Sequence, residues 1–243
     1  MGKIYSQFRP GYPQSFIDYL CSSVGITKDS IIADIGAGTG ILTKQLLECG
    51  NRVFAVEPNN DMRRIAETDL CSNKNFTPIN GTAENTTLPN KSVDFITVAQ
   101  AFHWFDRKTF QTECKRILKP GGKVILVWNF RDPNSEIVIK NDEINRKYCP
   151  NFKGFSGGMR GVAGEDDFSD FFDGRYESNV FDSPLLFDEQ GFIGRNLSSS
   201  YALKESAEAY NAYVTELRAL FHAYAIDGKL TMPNFTRSYV GKV

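Results

Sequence analysis

Hydrophobic and polar residues follow two alternating patterns between residues 13 and 130, and each pattern predicts a different kind of element. Short apolar runs between polar segments are typical of strands buried on both faces of a sheet. Five such runs are Ile31–Ile35, Arg52–Val56, Phe76–Ile79, Val93–Ala99 and Lys123–Asn129. Amphipathic segments predict helices at Gln14–Val24, Thr39–Cys49, Asn60–Asp69 and Arg107–Leu118. Strands that alternate with helices predict an α/β fold with an open, mostly parallel sheet.

The pattern changes after Arg131. Residues 133–148 predict a further helix, and Phe152–Gly164 carries five glycines in thirteen residues. Aromatic side chains follow at Phe168, Phe171, Phe172 and Tyr176. We interpret residues 131–174 as a helical and aromatic cap insertion over the active site, with glycine hinges that permit closure of a partly apolar pocket.

The last part of the chain returns to regular elements. Ser206–Ala225 carries an apolar stripe at helical spacing and predicts an amphipathic helix. Tyr176–Phe187 and Leu230–Val240 predict two late strands that close the sheet. The chain is therefore expected to form a single domain over residues 1–243, with a core at about 25–130 and about 175–243 and an N-terminal lid at residues 1–24.

Composition narrows the class of protein. The 243 residues are 41% hydrophobic and carry a net charge of −1, as in ordinary globular proteins. No run approaches the roughly 18 apolar residues of a membrane helix, and the N-terminus lacks the order of a signal peptide, so a cytoplasmic protein without a membrane partner is expected. Five scattered cysteines and two histidines predict no metal site. The absence of Lys/Arg blocks argues against a nucleic-acid partner.

The segment most informative about function runs from Ile31 to Ile41. A buried strand leads into Gly36, Gly38 and Gly40, and a helix follows. Ligands of open α/β sheets bind at such strand ends, where glycines admit a ligand against bare backbone and the helix offers unpaired N–H groups. The segment therefore predicts a ligand-binding loop.

The spacing of the loop discriminates between ligands. Dinucleotide-binding loops read GxGxxG, whereas here Ile41 occupies the third glycine position and Gly40 comes one residue early. Asp34 would repel a pyrophosphate and would attract an ammonium group. S-adenosylmethionine has an amino group, a carboxylate and a ribose diol, each of which suits this loop. A nicotinamide-dependent oxidoreductase is the less favoured alternative.

Glu57 ends the second predicted strand, about 20 residues after the glycine loop. At that position a carboxylate can accept two hydrogen bonds from a ribose 2′,3′-diol. The glycine loop and Glu57 therefore support the same interpretation.

Together these segments resemble the class I S-adenosylmethionine-dependent methyltransferases. The similar motifs, in chain order, are Asp34–Gly40, Val56–Asn59, Gly81–Glu84, Asp94–Gln100 and Leu118–Gly122. The resemblance implies a Rossmann-like, seven-stranded, mostly parallel sheet with helices on both faces and a late antiparallel hairpin. It also implies S-adenosyl-L-methionine as the cofactor.

The resemblance assigns cofactor roles residue by residue. It implies that the methionine part lies among Asp34, Gly36, Gly38 and Gly40. Glu57 would bind the ribose, the adenine would lie near Met62, Ala83 and Glu84, and Gln100 would lie just below the methyl group. Ala37 and Pro58 are further predicted cofactor-binding residues.

The acceptor side is predicted at Ala99–Asp106, which ends the fourth strand and contains His103 and Trp104. This tract resembles the small-molecule branch that includes trans-aconitate methyltransferases, which methylate a carboxylate. It lacks the Asn/Asp-Pro-Pro-aromatic tetrad usual in protein and RNA methyltransferases. We therefore expect a small-molecule acceptor. A carboxylate would need no base, whereas for a hydroxyl or an acidic carbon His103 is the best general base.

The N-terminal strap and two later arginines complete the acceptor hypothesis. Prolines make Tyr5–Pro13 extended, and the segment resembles a lid over the cofactor. Tyr5, Arg9 and Tyr12 are its predicted contacts, and Arg160 and Arg195 are possible partners of an anionic acceptor. A non-catalytic S-adenosylmethionine-binding protein stays open as an alternative, as does the choice between monomer and homodimer.

Overall fold

The computed structural model describes residues 11–155 and 167–243. Its strands are β1 Ile31–Ile35, β2 Arg52–Val56, β3 Phe76–Ile79, β4 Val93–Ala99, β5 Leu118–Arg131, β6 Tyr176–Asp182, β7 Leu185–Phe187, β8 Leu230–Met232 and β9 Asn234–Gly241. Its α-helices are α1 Gln14–Tyr19, α2 Ile41–Glu48, α3 Asn60–Leu70, α4 Arg107–Ile117, α5 Glu136–Tyr148, α6 Glu189–Leu197 and α7 Tyr210–Tyr224.

In the described part of the chain, seven strands form one sheet in the order β3-β2-β1-β4-β5-β9-β6. The first five are parallel, and β9 runs antiparallel between β5 and β6. This confirms the predicted mostly parallel α/β sheet. The strand order reverses between β1 and β4, so a crevice for a ligand is expected at the carboxyl ends of these two strands.

Apolar layers cover both faces of the sheet, as the continuous apolar runs predict. On one face Phe16 and Leu20 of the first helical segment pack with Leu46 of α2 and Ile125 of β5. On the other face Phe110 and Ile117 of α4 join a cluster that contains alternate residues of β4 and β5. Two buried layers fix the sheet and hold its carboxyl edge in place.

Several helices and strands begin or end at other residues than predicted. The first helix widens to a π-helical turn over Leu20–Val24 and ends at Gly25, whose φ is 94°. Strand β5 begins already at Leu118, because the residues of the predicted turn pair irregularly with β4 before the regular register starts at Lys123. Neither change moves the carboxyl edge of the sheet.

The two late strands are each divided in the structure. In the predicted strand Tyr176–Phe187, residues Tyr176–Asp182 form β6 of the main sheet, whereas Leu185–Phe187 form β7 outside it. The predicted strand Leu230–Val240 is likewise divided, into β8 and β9. Strands β7 and β8 pair with each other in a separate antiparallel ribbon.

The cap is wider than the predicted insertion at 131–174. Helices α5, α6 and α7 pack with the β7–β8 ribbon around their own apolar cluster, so the cap also uses residues between β6 and β9. Helix α6 was not predicted, although Asp188 caps it by accepting a hydrogen bond from the Gly191 amide at 2.8 Å. Residues 156–166, including Arg160, lie outside the described residues.

The predicted aromatic face of the cap belongs instead to the core of the sheet. Phe168 stacks on Trp128 with ring centroids 5.6 Å apart, and Phe171 stacks on Phe110 at 5.5 Å. Phe171 is also 1% exposed. These rings cover α4 and β5, so they do not line an acceptor pocket as the sequence analysis expects. Among the described residues, no helix has the length and apolar character needed to cross a membrane.

Candidate functional site

The glycine loop that follows β1 has a left-handed backbone at each of its three glycines. The φ angles of Gly36, Gly38 and Gly40 are 67°, 57° and 82°, a region that side chains with a Cβ rarely adopt. A Cβ at Gly36 would lie 2.7 Å from the Ala101 Cβ, and one at Gly40 would lie 2.9 Å from the Leu70 Cδ1. These two glycines are therefore required by packing.

Gly38 differs from the other two because space is open beside it. A Cβ there would meet only the Met62 Sδ, at 3.9 Å. The loop is held open around this residue, since the amides of Gly36 and Ala37 both donate to the Val56 carbonyl of β2. A ligand can therefore lie directly against the backbone of Gly38.

Asp34 lies inside the fold beneath the loop. Its side chain is 1% exposed and accepts hydrogen bonds from the Thr43 hydroxyl at 2.6 Å and the Thr97 hydroxyl at 2.8 Å. Burial raises its pKa to about 6, although the two threonines oppose this shift. Asp34 thus joins β1, α2 and β4, and the predicted attraction of an ammonium group by Asp34 stays a prediction.

Glu57 fastens the glycine loop to the end of β2. Its Oε2 accepts from the Gly38 amide at 2.9 Å, and its Oε1 accepts from the Asn59 amide at 2.8 Å. The side chain is buried, but each carboxylate oxygen has a second lone pair. Glu57 is therefore placed to accept from a diol beside Gly38.

Thr39 lies between the last two glycines of the loop and was not among the predicted site residues. Its Oγ1 is buried and has no hydrogen-bond partner within residues 11–155 and 167–243. A buried hydroxyl without a protein partner is able to bond to a ligand that reaches it. The open side of Gly38, the Glu57 carboxylate and this hydroxyl together fit an amino-acid-bearing nucleoside such as S-adenosylmethionine. The position of Thr39 inside the glycine motif is the sequence signal that could have identified this residue.

The predicted adenine side lies next to the same loop. Met62, on α3, is half-buried with its sulfur near Gly38, whereas Pro58 is exposed. Ala83 is 4% exposed in the sheet core. The Glu84 carboxylate accepts from the Asp106 amide at 3.0 Å, which connects this segment to the start of α4.

The acceptor tract leaves β4 through a strained residue. Gln100 has a φ of 60°, unusual for a residue with a Cβ, and its amide donates to the Val127 carbonyl at 2.9 Å. Such strain is common at functional sites. A short 3-10 turn, Phe102–Trp104, follows, and Gly36 lies against both ends of it through Ala101 and Phe105.

His103 and Trp104 project from this turn beside the glycine loop. Both side chains are exposed, Trp104 to 79%, and their ring centroids lie 4.8 Å apart. Partial desolvation lowers the pKa of His103 below its usual 6.5, so the imidazole is neutral at neutral pH. A neutral imidazole can accept a proton from an acceptor.

The remaining predicted acceptor residues are dispersed. Tyr12 is 7% exposed and packs near Phe16 at a centroid distance of 5.8 Å, so it belongs to the core and not to a lid. Arg195 lies on α6 inside the cap. Tyr5 and Arg9 lie outside the described residues.

The chain is similar to known methyltransferases. Residues 33–126 match the family described as a methyltransferase domain. An uncharacterised methyltransferase of Mycobacterium tuberculosis is 41% identical over 140 residues, which cover 58% of this chain and 55% of the relative. A methyltransferase-like protein of Schizosaccharomyces pombe is 34% identical over 155 residues, with 61% and 58% covered. The chain thus spans little more than half the length of the curated relatives that it matches.

A solved structure extends the likeness to nearly the whole fold. A protein of Anaeromyxobacter dehalogenans, described as a candidate type II methyltransferase, superposes with a TM-score of 0.69 at 24% identity. The superposition covers 97% of this chain and 98% of that one, and therefore shows a shared fold that includes the cap. Residues 33–126 of this chain are thus similar to methyltransferase domains, and the chain shares its fold with a solved structure described as a methyltransferase.

Proposed function

We propose that this protein is an enzyme that transfers a methyl group from S-adenosylmethionine to a small-molecule acceptor. The observation that carries the proposal is the arrangement around Gly38. One side of this residue is open, its amide is bound by the Glu57 carboxylate, and the neighbouring Thr39 hydroxyl has no partner among the described residues. A nucleoside with a diol and an amino-acid tail can lie against the open side of Gly38, donate to Glu57 and bond to the Thr39 hydroxyl.

In this proposal the loop residues Gly36, Ala37, Gly38 and Gly40 surround the methionine part, and Asp34 acts on its ammonium group through space. Glu57 and Pro58 hold the ribose, and Met62, Ala83 and Glu84 border the adenine. The Asp34 carboxylate is shielded from water, so its field reaches the loop with little screening. When bound, the cofactor supplies a methyl group on a cationic sulfur, and its carbon–sulfur bond breaks as the acceptor atom bonds to the methyl carbon.

The acceptor is proposed to lie over Gln100, His103 and Trp104. Contact between Gly36 and the residues that flank the His103 turn supports this, because it puts the turn directly beside the cofactor loop. The chain then acts chiefly by orienting the acceptor and excluding water, effects that reach about 7–11 kcal/mol in well-oriented model reactions. For a hydroxyl acceptor, His103 takes the proton. For a carboxylate, no proton moves.

The cofactor is tested by calorimetric titration of the purified protein with S-adenosylhomocysteine and, in parallel, with NAD. Micromolar binding of S-adenosylhomocysteine and no heat with NAD are expected. Binding of NAD alone would show that the glycine loop belongs to an oxidoreductase.

The activity is tested by incubation with isotope-labelled S-adenosylmethionine and a panel of small carboxylic acids and phenols. Label in an acceptor establishes the transfer and its class. Cofactor binding without transfer to any acceptor would favour a non-catalytic binding protein.

A further inference from the structure

The segment between β3 and β4 that carries Ala83 and Glu84 is held by a buried carboxylate on another element. Both the amide and the hydroxyl of Thr86 donate to the Glu113 Oε1 of helix α4, at 2.8 Å and 2.5 Å. Thr86 is fully buried and Glu113 is 7% exposed. Because buried polar groups need partners, this contact fixes the path of the segment.

Arg116, one turn along α4, keeps Glu113 in place and charged. Its Nε donates to Oε2 and its Nη2 to Oε1, both at 2.7 Å, while Nη1 donates to the Asn90 Oδ1 at 2.7 Å. Burial of Glu113 opposes ionisation, but the hydrogen bonds from Arg116 and Thr86 outweigh it and lower its pKa. The group is therefore a fixed anionic anchor.

A second attachment joins the same segment to the start of α4. Glu84 accepts from the Asp106 amide, and Asp106 itself caps α4 by accepting from the Thr109 amide at 2.8 Å. The backbone in between is tightly folded, since a Cβ on Gly81 would lie 2.9 Å from the Thr86 carbonyl oxygen and Thr87 has a φ of 62°. A displaced Thr86 would therefore move Ala83 and Glu84 with it.

From these contacts we infer that Glu113 is a positioning residue for the adenine ring, acting through Thr86. The inference rests on the proposed function, in which the adenine lies beside Ala83 and Glu84. Loss of the Glu113 carboxylate leaves buried donors of Thr86 and Arg116 with weaker partners, so the segment shifts. Recognition of an adenine beside Ala83 and Glu84 is then weakened.

The test compares S-adenosylhomocysteine with S-inosylhomocysteine, which carries an oxo group in place of the 6-amino group of the purine. The ratio of their affinities isolates recognition of that edge from all other contacts. The test variants are Glu113→Gln and Thr86→Val, the second of which removes the Thr86 hydroxyl. Thr86→Ser keeps this hydroxyl and is the control for Thr86→Val. Glu216→Gln is the matched control, because Glu216 accepts from Lys147 and Tyr148 in the cap.

We expect the wild type to prefer S-adenosylhomocysteine, and Glu113→Gln and Thr86→Val to lower that preference about tenfold, the effect of one hydrogen bond. Thr86→Ser and Glu216→Gln are expected to keep the wild-type ratio. If Glu113→Gln fails to fold, the affinity ratios of Thr86→Val and Thr86→Ser test the inference.

Three results would overturn the inference. Equal losses for both ligands in the variants, or a wild type that binds both equally, would leave Glu113 with a structural role only and the proposed function intact. A wild type that binds neither ligand would remove the proposed function as well.

Discussion

The Gly38 amide donates to the Oε2 of Glu57 at 2.9 Å and so connects the loop after β1 with the end of β2. The two residues belong to separate sequence motifs, 19 positions apart. Parallel pairing of β1 with β2, in which Ile35 lies opposite Val56, brings the motifs to one edge of the sheet.

Glu57→Gln is expected to weaken binding of S-adenosylhomocysteine by about 10- to 100-fold, since hydrogen bonds to a charged group are worth about 1.5–3 kcal/mol. Calorimetric titration measures the loss. Glu48→Gln, which removes an exposed carboxylate paired with Lys44 on α2, is the control and should bind as the wild type does. Equal affinities in the two variants would contradict a role for Glu57 in the site.

Alanine at Gly36 and at Gly38 should have different consequences. Both substitutions force a Cβ into the left-handed region, at about 1–2 kcal/mol. Only Gly36→Ala also meets the Ala101 Cβ, at 2.7 Å, so it should lower the thermal midpoint more. Gly38→Ala should lose S-adenosylhomocysteine binding with the smaller loss of stability. Thermal unfolding and calorimetry on both variants check this, and a stable Gly38→Ala variant with full affinity would refute it.

Asp34 makes a pH-dependent contribution to stability. Its pKa in the folded protein is raised from 3.8 to about 6, so the contribution is fully present below about pH 4 and is lost as pH rises through about 6. The difference corresponds to about 3 kcal/mol. Relative to the wild type, Asp34→Asn should therefore gain stability as the pH is raised from 4 to 6.5. Denaturant unfolding at several pH values measures this, and parallel curves for the two proteins would contradict it.

His103 is expected to matter for transfer and not for cofactor binding. With a hydroxyl acceptor, His103→Gln should lower kcat about 100-fold or more, as for loss of a general base, and leave S-adenosylhomocysteine affinity unchanged. Since the pKa of His103 is lowered, wild-type activity should hold at neutral pH and fall only below pH 6.5. With a carboxylate acceptor the variant should keep its rate. His222→Gln, which changes an exposed side chain of α7, serves as the control. An unchanged rate with a hydroxyl acceptor would exclude His103 as the base.

Much of the core could be predicted because its signals are local. Strands β1 to β4 start and end as the apolar runs predict, since a strand buried on both faces needs uninterrupted apolar residues. The glycine motif likewise predicts the left-handed turns at Gly36, Gly38 and Gly40, because only glycine adopts them without strain. The glycine loop and its similarity to methyltransferase domains were therefore evident from the sequence.

Only the tertiary structure decided where the less regular residues lie. The same aromatic pattern suits a cap or a core, and packing against Trp128 assigned Phe168 to the core. Likewise a carboxylate before a glycine loop suits a ligand contact, but the threonines of α2 and β4 turned Asp34 inward. Sequence by itself determined strands β1 to β4 and the glycine loop, since these depend on neighbours along the chain. Burial and hydrogen-bond partners depend on residues far apart in sequence, as for Glu113 and Thr86, and so required the fold.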